Sequence, residues 1–170
     1  MIKITTTRNY KGVDYKLLWV PDFKVTEETK SVITQVSGII FDSEGNILIT
    51  RSSPTSDWGI PGGHPEEGET IEKTLAREIL EEVSLELANV KLLGAVQISE
   101  LNDPTVKPYY QIRMFAIVAK VLPLQVDIAT NKIYERMFVP FIDLPKYVSW
   151  GDVGTAVFEA GHKISNELRK

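Results

Sequence analysis

The sequence contains no cysteine and no long hydrophobic segment, and both absences narrow the possible functions. Without cysteine among its 170 residues, the chain has neither a disulfide nor a thiolate nucleophile. No run of about 18 uninterrupted apolar residues occurs, and the polar amino terminus lacks the apolar region of a secretory signal peptide. We therefore expect neither secretion nor a membrane span, and we expect a cytoplasmic protein.

The chain also lacks a strong excess of either charge, since its formal net charge is −4 at pH 7. A charge of this sign and size does not attract nucleic acid nonspecifically, so duplex DNA or RNA is not an expected partner. The hydrophobic fraction of 43% and the charged fraction of 25% are those of an ordinary globular protein. At this length we expect one domain over residues 1–170, in which residues 1–30 form an N-terminal accessory hairpin.

Apolar periodicity and turn residues predict a chain of mixed α and β structure. We predict strands over residues 15–20, 33–41, 47–50, 90–98, 109–122 and 136–141. Residues 52–68 are rich in Gly, Pro, Ser and Asp, so we predict irregular or very short extended backbone over residues 57–63. A helix should begin after Thr70, a suitable N-cap, because apolar residues recur every four positions from Ile71 to Val83. A closing helix fits residues 152–168.

The helix after Thr70 carries three glutamates on one face. At about 100° per residue, Glu78 and Glu82 lie about 40° apart, and Glu81 lies about 60° to the other side of Glu78. Glu82 also falls on the flank of the apolar stripe, where an unpaired charge is costly. A hard divalent cation bound through oxygen is the common relief for such a cluster. The alternative is a solvated acidic face that pairs with Lys73 and Arg77.

The glutamates belong to a longer pattern, G-x5-E-x7-R-E-U-x-E-E-x-G-U, where U is a bulky aliphatic residue. Eight positions match it: Gly63, Glu69, Arg77, Glu78, Ile79, Glu81, Glu82 and Leu85. This segment resembles the Nudix box. It departs from the family pattern at Ser84, where glycine would suit a left-handed backbone at the helix end. A serine in that conformation would carry strain of about 1 kcal/mol, unless the helix runs a further turn.

The resemblance implies a fold, a reaction and a set of metal ligands. The fold is a Nudix-type α/β/α sandwich with a mixed central sheet, and the reaction is cleavage of a diphosphate (pyrophosphate) linkage in a nucleoside diphosphate derivative or nucleoside triphosphate. In similar proteins the ligands of Mg²⁺ or Mn²⁺ correspond to Glu78, Glu81 and Glu82, and the carbonyl of Gly62 is a further candidate. Arg77 would orient a glutamate through a salt bridge.

The resemblance leaves the general base, the exact substrate and the oligomeric state open. Glu135 aligns with an acidic residue that precedes a similar strand in many relatives, while Glu100 and Asp103 compete for the role from a nearby loop. Many relatives are dimers, so a homodimer is a further expectation. A Nudix-fold module that binds a nucleotide without cutting it is the alternative function. An isopentenyl diphosphate isomerase would normally need a catalytic cysteine, which this chain lacks.

Overall fold

The computed structural model describes residues 3–128 and 130–170. The strands are β1 (Thr5–Tyr10), β2 (Val13–Val20), β3 (Ile33–Phe41), β4 (Asn46–Arg51), β5 (Gly62–Gly63), β6 (Leu85–Glu100), β7 (Tyr109–Val121) and β8 (Glu135–Pro140). The helices are α1 (Glu27–Lys30), α2 (Ile71–Val83) and α3 (Gly151–Leu168), and a 3₁₀ helix covers Phe141–Lys146. Within the described residues, no helix combines the length and the apolarity that crossing a membrane requires.

The strands form one mixed sheet in the order β1-β2-β6-β7-β3-β4-β8, and the short strand β5 pairs with β3. All neighbouring pairs are antiparallel except β3 and β7, which run parallel with Ile39 opposite Phe115. Strand β6 begins at Leu85 rather than at residue 90 because the chain enters it directly from the end of α2. Shifts in its register against β7 interrupt the alternating pattern there, which hid the first residues of the strand.

Helices cover both faces of the sheet, and the alternation of side chains along β3 shows why. Val36 and Ile40 point to one face, where they pack with Leu75 and Ile79 of α2 in one hydrophobic cluster. The other face carries the second cluster, in which Ile39 and Phe41 of β3 pack with Val157 and Phe158 of α3. The predicted α/β/α sandwich with a mixed central sheet is therefore confirmed.

The first two strands extend the sheet as a hairpin at its edge. Lys11 and Gly12 form the turn, both with positive φ, and β2 pairs along its length with β6. The hairpin also contacts the start of α3, where the backbone N–H of Val153 donates to Thr6 Oγ1 at 3.2 Å. The polar segment that follows contains α1, whose capping box joins Thr26 and Thr29. Residues 3–30 are thus attached to the sheet at several points.

Candidate functional site

Helix α2 is positioned by its cap and by one buried face. Thr70 is the N-cap, and its side chain accepts a hydrogen bond from the backbone N–H of Lys73 at 3.3 Å. Its buried residues, Thr74, Leu75, Ile79 and Val83, lie on one side of the helix. The opposite flank faces the loop that contains β5, so the glutamates of α2 and the two glycines of β5 meet at one edge of the sheet.

Ser84 ends the helix in the left-handed conformation, with φ of 50° and ψ of 54°. The helix therefore does not run a further turn, and the departure from glycine leaves the backbone path of the motif intact. The hydroxyl of Ser84 accepts a hydrogen bond from the N–H of Gln125 at 3.3 Å. Arg136 of β8 donates to the carbonyls of Val83, Ser84 and Leu122, which holds the helix end against the sheet.

Arg77 lies at the centre of a network of carboxylates. Its Nε and Nη2 donate to the two oxygens of Glu69 at 2.9 and 3.0 Å, which is a bidentate pair. Nη1 donates to Glu78 at 2.8 Å and to Glu81 at 3.3 Å, and Nη2 also reaches the carbonyl of His64 at 3.0 Å. These bonds raise the pKa of Arg77, with Glu69 as the largest cause, and its guanidinium in turn lowers the pKa of Glu69 to about 2.

Within the part of the chain that the structure describes, Glu82 forms no ion pair with a cationic side chain. Its Oε2 accepts the backbone N–H of Gly62 at 3.0 Å, and a hydrogen bond from Tyr134 also stabilises its charged form. Burial outweighs both bonds and raises the pKa of Glu82 to about 7. Burial likewise raises the pKa of Glu78, although Arg77 opposes the shift. Two carboxylates of α2 therefore occupy positions where ionisation costs free energy.

The two glycines of β5 allow the backbone to approach these carboxylates closely. Gly62 has φ of 147°, and a Cβ on it would overlap the carbonyl of Val36 on β3. A Cβ on Gly63 would overlap the carboxyl group of Glu78. Both positions therefore require glycine, for the strand pairing at Gly62 and for the contact with Glu78 at Gly63.

The glutamates line an open cleft of about 400 Å³ that also receives side chains from a distant part of the chain. Among the described residues, its lining has five acidic side chains, Glu66, Glu78, Glu81, Glu82 and Asp127, against one arginine, Arg77, and one histidine, His64. Asp127, Thr130 and Tyr134 come from the segment between β7 and β8, and Thr130 donates to Asp127 at 2.5 Å. The sequence patterns predict neither a strand nor a helix for this segment. An aspartate followed three residues later by a threonine is typical of a polar turn, and this spacing in the sequence indicates the turn at Asp127 and Thr130.

The three candidates for a general base that lie outside the motif do not line this cleft. Glu135 forms an ion pair with Arg51, whose Nη2 and Nε donate to its Oε2 at 2.6 and 2.9 Å. Asp103 accepts hydrogen bonds from Thr105 within its own loop. Glu100 ends β6 opposite Tyr15 of β2. The structure thus brings Glu78, Glu81, Glu82, Arg77 and Gly62 together at the cleft and places these three acidic residues outside its lining.

The residues of the cleft fit a divalent cation in their chemistry. Oxygen donors predominate in the lining, and burial raises the pKa of Glu82, so a nearby cation would stabilise its charged form. Among the residues that the structure describes, no group of three acidic or histidine side chains is arranged to hold a metal ion. Arg77 accounts for this arrangement, because its Nη1 draws Glu78 and Glu81 towards itself. Binding would require these two side chains to turn from the guanidinium.

Comparison with known proteins finds a matching family model and two curated relatives. The family model described as NUDIX domain matches residues 33–153. The chain is 37% identical over 59 residues to an RNA pyrophosphohydrolase of Pseudoalteromonas atlantica and 34% identical over 64 residues to an 8-oxo-dGTP diphosphatase of Proteus vulgaris. Each alignment covers 35% of this chain, and they span only 34% and 57% of these two relatives.

Two solved structures share the fold at low sequence identity. The pyrophosphohydrolase BsRppH of Bacillus subtilis is 19% identical with a TM-score of 0.59, over 81% of this chain and 77% of that one. A NUDIX hydrolase from Nitrosomonas europaea is 17% identical with a TM-score of 0.60, over 78% of this chain and 90% of that one.

Proposed function

This chain belongs to the NUDIX domain family, and on that premise we propose that it hydrolyses a diphosphate linkage with the help of Mg²⁺ or Mn²⁺. The substrate is a nucleoside diphosphate derivative or a nucleoside triphosphate. The printed activities of the two curated relatives, an RNA pyrophosphohydrolase and an 8-oxo-dGTP diphosphatase, support a reaction at a diphosphate.

The observation that carries the proposal is the charge of the cleft. Five acidic side chains line it, and its one arginine is already engaged by Glu69. A polyphosphate could not enter such a cleft without cations to offset the repulsion between negative charges. The clustered carboxylate oxygens, among them those of Glu82 with its raised pKa, are suited to hold a hard divalent cation. The cation would in turn attract the diphosphate to the cleft.

Each residue of the motif has a distinct task in this proposal. Glu82, Glu78 and Glu81 would hold the cation together with the carbonyl of Gly62, and the Gly62 N–H keeps Glu82 in place. Arg77 positions the carboxylates through its contacts with Glu78 and Glu81. A bound divalent cation supplies positive charge that stabilises the negative charge developing on the phosphate oxygens.

The proton of the attacking water must pass to a carboxylate. Asp127 is 5% exposed and lines the cleft, so it is one candidate besides the glutamates of α2. Glu135 is the other, and its ion pair with Arg51 would have to open for it to reach the substrate. The variants Asp127→Asn and Glu135→Gln separate the two, because loss of the base lowers kcat by about 100-fold or more while the other variant retains activity.

The test of the function is phosphate release, measured with a coupled phosphatase in the presence and absence of Mg²⁺. The substrates are ADP-ribose, nucleotide sugars, dinucleoside polyphosphates, NADH, coenzyme A, and canonical and oxidised nucleoside triphosphates. We expect turnover of at least one class that depends on the metal. Glu82→Gln should abolish most of it, whereas Glu72→Gln, an exposed residue in the first turn of the same helix, should retain it.

Two results would contradict the proposal. Wild-type rates in Glu82→Gln would remove the glutamates from the reaction. No turnover of any substrate, combined with ligand-induced rises in melting temperature, would instead identify a module that binds nucleotides without cutting them.

A further inference from the structure

A second arginine, Arg113, is buried in the sheet without an acidic partner. It lies on β7 and is 5% exposed. Its Nη2 donates to Gln111 at 2.7 Å, and its Nη1 donates to Ser37 and Gln35 at 3.3 and 3.4 Å. Within residues 3–128 and 130–170, its Nε has no hydrogen-bond acceptor and its guanidinium lies in no ion pair. The fold thus supplies neutral partners only.

Keeping a charged guanidinium buried without an acidic partner costs free energy. Burial lowers the pKa of Arg113 to about 10, so the guanidinium is still charged at neutral pH. The ring of Trp150, 5.5 Å from the guanidinium carbon, offsets part of the charge through a cation–π contact. Neutral dipoles and one aromatic ring cannot neutralise a full charge, whereas an anion can. A residue needed only for packing would be an apolar one.

Arg113 lines a cavity of about 220 Å³ on the α3 face of the sheet. The lining includes a second arginine, Arg8 of β1, and none of the described residues that line the cavity is acidic. Polar walls come from Gln35, Ser37 and Gln111, and Trp150 closes one side. The cavity is therefore opposite in charge to the glutamate cleft, and it is suited to an anion that presents two oxygens to a guanidinium.

The N-terminal hairpin builds one wall of this cavity. Thr6 and Arg8 of β1 and Leu17 of β2 all line it. The hairpin is fixed there by the pairing of β2 with β6 and by the bond between Thr6 and the start of α3. It lies outside residues 33–153, the part of the chain that matches the family model. The hairpin therefore completes this pocket with residues that the family model does not cover.

The cavity and the glutamate cleft are close enough for one molecule to reach both. Ser37 lines the cavity, and its partner across the β3–β5 pair, Gly62, lines the cleft. Along the chain, Ile60 lines the cavity and Gly63 lines the cleft, and three residues span at most about 10 Å. A small molecule with its diphosphate in the cleft can therefore place another group beside Arg113.

We propose that this cavity binds an anionic group, a phosphate or a carboxylate, that the substrate carries in addition to its diphosphate. Arg113 and Arg8 are the residues that recognise it, and they select among substrates without taking part in the chemistry. The identity of the ligand as a substrate rests on the proposed hydrolase function. The ability of the cavity to bind an anion does not.

The experiment compares molecules that differ by one anionic group: NADPH with NADH, coenzyme A with dephospho-coenzyme A, and UDP-glucuronate with UDP-glucose. Affinities are measured by calorimetry with the wild-type protein and Ca²⁺ in place of Mg²⁺, so that the cleft keeps all its carboxylates, and kcat/KM is measured with the wild type and Mg²⁺. In at least one pair, the more anionic member should bind about 10-fold more tightly or better. The first two pairs report a phosphate, and the third reports a carboxylate.

Variants assign the preference to the cavity. Arg113→Met and Arg8→Gln should each reduce the affinity for the more anionic member towards that of its partner, while the affinity of the partner stays the same. Arg8 is exposed, so its variant keeps the test informative if Arg113→Met does not fold. Lys16→Ala is the matched control, because Lys16 lies on the same hairpin opposite Thr7 and on the other face from Arg8, and it should retain the preference.

Equal affinities within all three pairs, or no binding of any, would overturn the proposal. Turnover by the wild type without any preference would leave the hydrolase standing and remove the anion site. A preference in binding without turnover would support the anion site and contradict the hydrolase.

Discussion

Replacing Glu82 with glutamine should make the metal-free protein less sensitive to pH. Burial raises the pKa of Glu82 from 4.5 to about 7, so the folded protein holds this proton more tightly than the unfolded chain does. The free energy of unfolding of the wild type should therefore fall as the pH rises from 4.5 to above 7. Each pKa unit corresponds to about 1.4 kcal/mol, so the part of this fall that Glu82 contributes amounts to about 3 kcal/mol.

Glutamine keeps the shape of the side chain and cannot ionise. The difference in stability between Glu82→Gln and the wild type should shift by about 3 kcal/mol in favour of the variant between pH 4.5 and pH 8. For a chain of this size that corresponds to roughly 6 to 12 °C in melting temperature. The assay is thermal and urea unfolding across this range in the presence of EDTA. Saturating Mg²⁺ at pH 8 should reverse the difference, because the cation stabilises only the charged glutamate.

Glu72→Gln is the control, since Glu72 is exposed in the first turn of the same helix and lies outside the lining of the cleft. The ionisation of Glu69 does not contribute to the change in stability between pH 4.5 and 8. Its pKa is lowered to about 2, so the stability it contributes is present above pH 4.5 and is lost only as the pH falls from there towards 2. A difference between Glu82→Gln and the wild type that stays constant from pH 4.5 to 8 would refute the argument that Glu82 is held at a cost.

Two further substitutions test the geometry of the motif. Ser84→Gly should raise the free energy of unfolding by about 0.5 to 1 kcal/mol in urea titrations, because glycine adopts the left-handed conformation without strain. A less stable variant would mean that the hydrogen bond from Gln125 to the serine hydroxyl outweighs that strain. Arg77→Lys should lower the denaturation midpoint in urea at pH 7, because an ammonium group cannot replace the bidentate bond to Glu69 and the contact with Glu78 together. Unchanged denaturation midpoints would show that the network adds nothing to stability.

Local patterns in the sequence were sufficient to predict most of the fold. The repeat of apolar residues every four positions places α2 from its cap at Thr70, and the apolar run of β3 corresponds to a strand buried on both faces. Strand β1 is different, because Thr5–Tyr10 consists of polar or exposed residues and has no buried face to generate a pattern. It becomes a strand through pairing with β2, which no local signal reports.

The candidate site could be predicted only where it lies within one segment. The spacing of Glu78, Glu81 and Glu82 fixes their common face, since a helix has one periodicity. Asp127 and Tyr134 reach the same cleft from beyond β7, and their positions depend on how the sheet is ordered. Nor does the sequence reveal that Arg77 binds Glu78 and Glu81 as well as Glu69, because side-chain rotation decides these bonds.

The parallel pairing of β3 with β7 has a consequence for how the protein folds. Thr34 and Tyr110, which are bonded at this junction, stand 76 residues apart in the sequence. Closing a loop of that length costs entropy before any contact is gained, so folding should be slow compared with that of a helical protein of equal size. The β3–β4 hairpin and α2 can form earlier, but the edge of β3 that pairs with β7 stays unpaired until β7 is in place. During synthesis, β3 is therefore the strand most exposed to incorrect pairing.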